Sequence, residues 1–234
     1  MRKFQFEENQ ICHIYNRGVD KRDIFLDDKD YLRFIHYLFE LNNGKKISNI
    51  GYRINQNQSI EVEPQYLERR MSRELLVEIL AFVLMPNHYH LLLRQKKENG
   101  IVKFMQKLGT GHTMCFNNKH DRAGSLFQGR FKASLVNEDS YFTHIPNYIH
   151  LNPLKLLKKY GGSTSIGYKE KMEFLKKYRW SSFPDYAGEK NFPSVTSREF
   201  LLNNFGGEIG YKKNIEDIVK EDSVEKIDLK SILS

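Results

Sequence analysis

The sequence predicts an α+β domain whose helices rest on an antiparallel sheet, and three observations carry that expectation. Apolar residues alternate or cluster in four short stretches, near 11–16, 75–85, 88–94 and 131–136. Helical spacing of apolar residues fills three intervals between and after them, near 28–41, 100–119 and 140–151. The tightest connection, Pro86-Asn87, is a turn dipeptide between two apolar runs, which makes the second and third strands antiparallel neighbours. The resulting order, β-α-β-β-α-β-α, contains two β-α-β halves. Such halves form the ferredoxin-like arrangement, an antiparallel sheet with two main helices on one face.

Each element has a local reason. Residues 11–16 (Ile-Cys-His-Ile-Tyr-Asn) alternate in part, and Arg17-Gly18-Val19-Asp20-Lys21-Arg22 follows as a polar connection with three cations. Asp27 or Asp28 can cap the first helix, whose apolar stripe is Tyr31, Phe34, Ile35, Leu38 and Leu41, and Asn42-Asn43-Gly44 ends it. About 44–73 reads as a variable insertion, polar and Asn/Gln-rich to residue 65, with a brief charged helix near 66–73. The second helix carries Ile101, Phe104, Met105, Leu108, Met114 and Cys115, while Gly109 and Gly111 can bend it. Asn137-Glu138-Asp139 suits the start of a third helix. Pro146 is expected to kink or divide that helix, and Asn152-Pro153 to end it. These elements place one domain at 1–155 and a C-terminal extension, partly packed on it, at 156–234. Within the extension the segment around Trp180 is expected against the domain surface, with short helices near 198–204 and 214–233.

Composition narrows the function classes. An apolar fraction of 40% and an aromatic fraction of 13% support a folded core. The net charge of +8 arises from 37 Lys+Arg against 29 Asp+Glu. It favours a polyanionic partner, of which nucleic acid is the commonest for a basic protein. Cys12 and Cys115 are far apart and fit neither a disulfide framework nor a zinc ribbon, as expected in a reducing cytoplasm. No stretch of about 18 uncharged apolar residues predicts a membrane span, and residues 1–8 lack the apolar run of a signal peptide. Between Lys103 and Lys132 six Lys/Arg face one acid, Asp121, which is either a phosphate-tracking groove or a solvated helix face.

The chemistry concentrates at two places. On a strand, residues two apart share a face, so His88 and His90 project together and Tyr89 points the other way. Two imidazoles on one pleat can hold a divalent ion with coordination positions left open, although such pairs are also found as ordinary surface or satisfied histidines. On the third helix Tyr148 and Asn152 are four apart and so lie on one face, whereas His150 is turned away. Two imidazoles and an amide oxygen form an open three-ligand set suited to Mg2+ or Mn2+. A tyrosine one turn from that amide is then a candidate nucleophile toward phosphorus.

These motifs carry a resemblance. Met85-Pro86-Asn87-His88-Tyr89-His90 is similar to the His-hydrophobic-His motif of HUH endonucleases. Phe127-Gln128-Gly129-Arg130-Phe131-Lys132, Tyr148-Ile149-His150-Leu151-Asn152-Pro153 and Tyr178-Arg179-Trp180-Ser181-Ser182-Phe183 resemble single-tyrosine transposases of the IS200-like type, especially the REP-associated branch. The likeness runs over about 10–188. It implies a ferredoxin-like nuclease that nicks folded single-stranded DNA at hairpin or REP-like sequences and rejoins it through a 5′-phosphotyrosine. By matching positions, His88 and His90 would be metal ligands, Tyr148 the nucleophile and Asn152 the third ligand, where the family often has Gln. The central Tyr89 is bulkier than the family's usual aliphatic residue. Arg17, Lys21, Arg22, Arg130 and Lys132 are the candidate DNA-backbone contacts. Relatives include monomers and dimers that share active sites across the interface. Two rival classes make different demands: a non-catalytic nucleic-acid-binding module needs none of these four side chains, and a phosphoester hydrolase forms no protein–DNA adduct.

Overall fold

The protein is described by a computed structural model covering residues 5–45, 73–136, 139–160 and 166–221. The expected insertion at 44–73 and its short helix lie almost wholly outside these residues, as do the Asn137-Glu138 cap and the end of the expected 214–233 helix. Four strands form one sheet, β1 (Ile11–Arg17), β2 (Val77–Met85), β3 (His88–Gln95) and β4 (Lys132–Leu135), in the order β2-β3-β1-β4. Every neighbouring pair is antiparallel. With helix α1 (Asp28–Glu40) between β1 and β2, and α2 (Gly100–Lys119) between β3 and β4, this is the ferredoxin-like order.

The two helices cover one face. Their stripes, Tyr31, Phe34, Ile35 and Leu38 from α1 and Ile101, Phe104, Met105 and Leu108 from α2, meet Cys12, Ile14, Phe82, Leu84, Tyr89, Leu91 and Leu93 of the sheet. Asp27 caps α1 by accepting from the Asp30 amide. Gly109 and Gly111 leave α2 unbroken, and a Cβ at Gly111 would only touch Leu41 and Tyr37 at ordinary van der Waals distance. Asn42, just past α1, is buried and bonds both ways with the start of β2: its amide donates to Val77 O and its oxygen accepts from the Leu76 and Val77 amides.

The other face is covered by α3 (Asp139–Leu151), which runs through Pro146, and by helices from the C-terminal region. These are α4 (Leu154–Tyr160), α5 (Tyr168–Lys177), α6 (Phe183–Tyr186), α7 (Glu199–Phe205) and α8 (Gly207–Lys220). Ile145 and Ile149 of α3 share a cluster with Met172, Leu175, Phe183, Leu201, Tyr211 and Ile215, all packed on Ala81, Val83, Met85 and Leu92. A bulge between Ile79 and Ala81 turns both Leu80 and Ala81 toward this cluster. Trp180 packs against the domain as expected, buried there and stacked on Tyr31 with ring centroids 4.6 Å apart. The segment it opens runs along the outer edge of β2: Leu84 N donates to Trp180 O, Ser182 N donates to Phe82 O, and Val83 bridges Ser181. Among the described residues no helix is long and apolar enough to cross a membrane.

Candidate active site

Strand alternation decides which side chains meet α3. On β1, Cys12 and Ile14 enter the core under α1 and α2, so His13, Tyr15 and Arg17 face the other way. The antiparallel register sets Tyr15 opposite His90, Arg17 opposite His88 and Lys132 opposite Tyr15. Tyr89 points into the α1/α2 core, 1% exposed, as its odd position requires. Its bulk is accommodated there, against Phe34 and Phe127.

The turn that launches β3 is braced from outside. Gly18 N donates to Asn87 O, Ile24 N to Pro86 O, and the Asn87 amide to Lys21 O. Gly18 cannot be replaced cheaply, since a Cβ there would sit 2.2 Å from Arg22 O. The Asn87 side-chain oxygen, Oδ1, accepts from His88, with Nδ1 2.6 Å away. Because a carbonyl oxygen only accepts, His88 carries its proton on Nδ1 and leaves Nε2 bare. His90 is 5% exposed, and its Nδ1 lies 2.9 Å from Nε2 of the fully buried His13.

The structure brings the predicted tyrosine to this pair. The Tyr148 ring stands edge-on to His90, centroids 5.2 Å apart, and 6.2 Å from His13. His88 and His90 are 5.1 Å apart, with planes nearly perpendicular. Asn152, one turn beyond Tyr148, lies beside His88 and nudges that imidazole toward protonation. Asn152 is 1% exposed, yet neither amide atom has a well-formed hydrogen bond. A buried amide without a partner costs about 1–3 kcal/mol, so such groups mark places where an additional ligand belongs.

Electrostatics favour unprotonated ligands. Burial first, then the charges of Lys155 and Arg17, pull the His88 pKa down to about 4. Burial, reinforced by His13, His88 and Lys155, holds His90 well below the ordinary range. Both rings are therefore neutral at pH 7 and able to donate a lone pair. Two neutral imidazoles and a buried amide oxygen offer a divalent cation three donors with positions left open. No group of three or more His, Cys, Asp or Glu among the described residues offers an alternative metal site.

Sequence reasoning did not identify Lys155. Its Nζ is 3.4 Å from the Tyr148 hydroxyl and 4.7 Å from the ring centroid. The available signal was spacing, since Lys155 follows Tyr148 by two helical turns, but Asn152-Pro153 interrupts that count. Tyr15 and His13 were also missed, although an imidazole and a phenol alternating with Cys12 and Ile14 mark a polar face.

The predicted cations gather at one end of the sheet. Arg17 closes β1, Lys132 opens β4, Lys21 and Arg22 lie in the connection that braces the Asn87 turn, and Arg130 follows Gly129, whose carbonyl accepts from Asn16. All five are exposed, and of these only Arg22 is in an ion pair among the described residues, with Asp20 at 3.5 Å. The excess over 103–132 is not one groove. Lys107 donates to Asn43 O, Lys119 bridges Asp27 and Asp30, and Arg122 binds Asn117. His150 faces away from Tyr148 as expected, held between the Tyr211 hydroxyl at 2.6 Å and Ser182 Oγ at 2.7 Å.

Comparison with known proteins agrees with the motifs. Residues 52–152 match the family model described as Transposase IS200 like, a span that includes the histidine pair and ends at Asn152. The resemblance to IS200-like transposases therefore holds beyond the individual motifs. Among solved structures, the chain is similar to a REP-associated tyrosine transposase bound to a REP hairpin, with a TM-score of 0.50 and 13% identity. The alignment covers 85% of this chain and 91% of that one, and at such identity the likeness is one of fold. A search of curated proteins returns no match.

Proposed function

We propose that this chain is an IS200-like transposase, a metal-dependent endonuclease that nicks and rejoins single-stranded DNA at hairpin or REP-like sequences. The observation that carries the proposal is the meeting of Tyr148 with His90, ring to ring at 5.2 Å within one chain, beside His88 and the unpartnered Asn152 amide. The solved structure with a similar fold holds a REP hairpin, which supports the choice of substrate. In this reading residues 1–155 form the nuclease domain and 156–234 buttress it, in a cytoplasmic protein.

His88 and His90, through Nε2, and Asn152, through its amide oxygen, would hold Mg2+ or Mn2+. The bound cation would neutralise charge on the scissile phosphate and orient it. The Tyr148 oxygen attacks phosphorus as its proton departs, a tyrosine–phosphorus bond forms, and the bond to the 3′-oxygen breaks to leave a 3′-hydroxyl. The 5′-phosphate then remains on Tyr148. Attack by another 3′-hydroxyl on that ester reverses the exchange and rejoins strands without ATP, since one phosphoester replaces another. Lys155, in contact with the phenol, offsets charge on the phosphate, while Arg17, Lys21, Arg22, Arg130 and Lys132 track the backbone.

The test uses a hairpin labelled at either end, with Mn2+. The 3′-labelled portion should become covalently attached to the protein and the 5′-labelled portion released, and Tyr148→Phe should abolish the adduct. Cleavage that persists in Tyr148→Phe rejects the nucleophile. Salt-sensitive binding without any adduct, unaffected by chelation or His88→Ala, would make the protein a binding module instead.

A further inference from the structure

His88 and His90 are both gripped at Nδ1, but by different partners. At His88 the partner is Oδ1 of the Asn87 side chain, which can only accept, so Nε2 is left bare. At His90 the partner is another imidazole, His13, at 2.9 Å. Two proton arrangements satisfy that contact. If His13 donates from Nε2, the neutral His90 must carry its own proton on Nε2 and has no lone pair to offer there. If His90 donates from Nδ1, its Nε2 is bare and matches that of His88. Only the second arrangement gives two like ligands.

We propose that His13 is the positioning residue of the metal centre: its Nε2 accepts the His90 Nδ1 proton and fixes His90 as an Nε2 ligand. The inference rests on the metal-dependent reading above. Packing makes the arrangement rigid. His13 is fully buried, lies nearly parallel to His90 with ring centroids 5.0 Å apart, and packs with it against Tyr15, whose centroid is 5.2 Å from His13 and 5.7 Å from His90. Its own Nδ1, which carries the proton in this arrangement, has no hydrogen-bond partner among the described residues, so His90 is the one polar contact they give the ring. A phenylalanine would satisfy the same packing at lower desolvation cost. Hydrogen-bond acceptors behind metal-bound histidines typically govern affinity by about 10–100-fold.

The test measures Mn2+ affinity by electron paramagnetic resonance of free Mn2+, without DNA or turnover. His13→Phe should weaken binding by about 10–100-fold, with excess Mn2+ restoring the DNA adduct. His13→Gln, whose amide oxygen can accept, should stay within a few-fold of the parent. Nitrogen-15 histidine spectra of the Mg2+-saturated parent should show His90 protonated at Nδ1 and bare at Nε2, which decides the matter even if His13→Phe fails to fold. A His90 protonated at Nε2, or a folded His13→Phe that binds Mn2+ like the parent, overturns the proposal. Mn2+ affinity unchanged in His88→Ala would instead overturn the metal centre itself.

Discussion

Tyr148 has imidazoles at its ring edge and one ammonium group at its hydroxyl. That ammonium belongs to Lys155, which is exposed, so in the proposed reaction its value would lie in the transition state rather than in stability. Lys155→Ala should slow adduct formation about tenfold or more and leave the melting temperature unchanged, whereas Lys155→Arg should retain most activity. Single-turnover rates on a hairpin substrate check this. Buried histidines set the acid stability, and His112 is the one among them that lies far from the candidate site. His112 of α2 is buried under the opposite face, with Nε2 donating to Ile24 O at 2.9 Å and Nδ1 unpartnered. Burial holds its pKa down to about 4, against 6.5 when unfolded. Between those values the unfolded chain binds the extra proton, so stability present above pH 6.5 is lost as pH falls toward 4, by about 3 kcal/mol for this group. Urea unfolding at pH 7 and pH 4.5 should show a smaller acid loss in His112→Phe than in the parent.

Element boundaries set by a strong period were readable in advance. The α1 and α2 stripes, the Pro86-Asn87 turn and the shared face of Tyr148 and Asn152 follow from repeats of 3.6 and 2, which act within one segment. The His13–His90 contact was not readable, because it depends on strand register between residues 77 apart. The C-terminal helices were hard to read for another reason. Their apolar residues are sparse among charges, and their burial is decided by an unpaired strand edge elsewhere. In the sheet order β2 is terminal, and this region occupies its polar groups: the Tyr178 hydroxyl donates to Leu84 O, Tyr186 to Leu80 O at the bulge, and Ser197 N to Ile79 O. His150 ties α3 to the same assembly. His150→Ala should cost about 2–4 kcal/mol in chemical denaturation, since it opens a cavity and strands the Tyr211 hydroxyl in the interior, whereas Ser182 keeps its bonds to the Phe82 backbone. A chain truncated after Lys155 should aggregate or lose cooperative unfolding, because the apolar underside of the sheet and the edge of β2 would both be exposed.

At the scale of the whole molecule, one end of the sheet collects Arg17, Lys21, Arg22, Arg130, Lys132 and Lys155 around the candidate site. If each neutralises one phosphate, the affinity for a single strand should fall with log salt at a slope of about −4, somewhat shallower if Arg22 stays with Asp20. Replacing any one with Ala should flatten the slope by roughly 0.7, a change that filter binding across a salt series can resolve. Both the phenol and the imidazoles of the centre come from the same polypeptide. If this arrangement is the working one, a solitary copy suffices: specific activity should survive dilution, and blending His88→Ala with Tyr148→Phe should produce no hybrid that cuts.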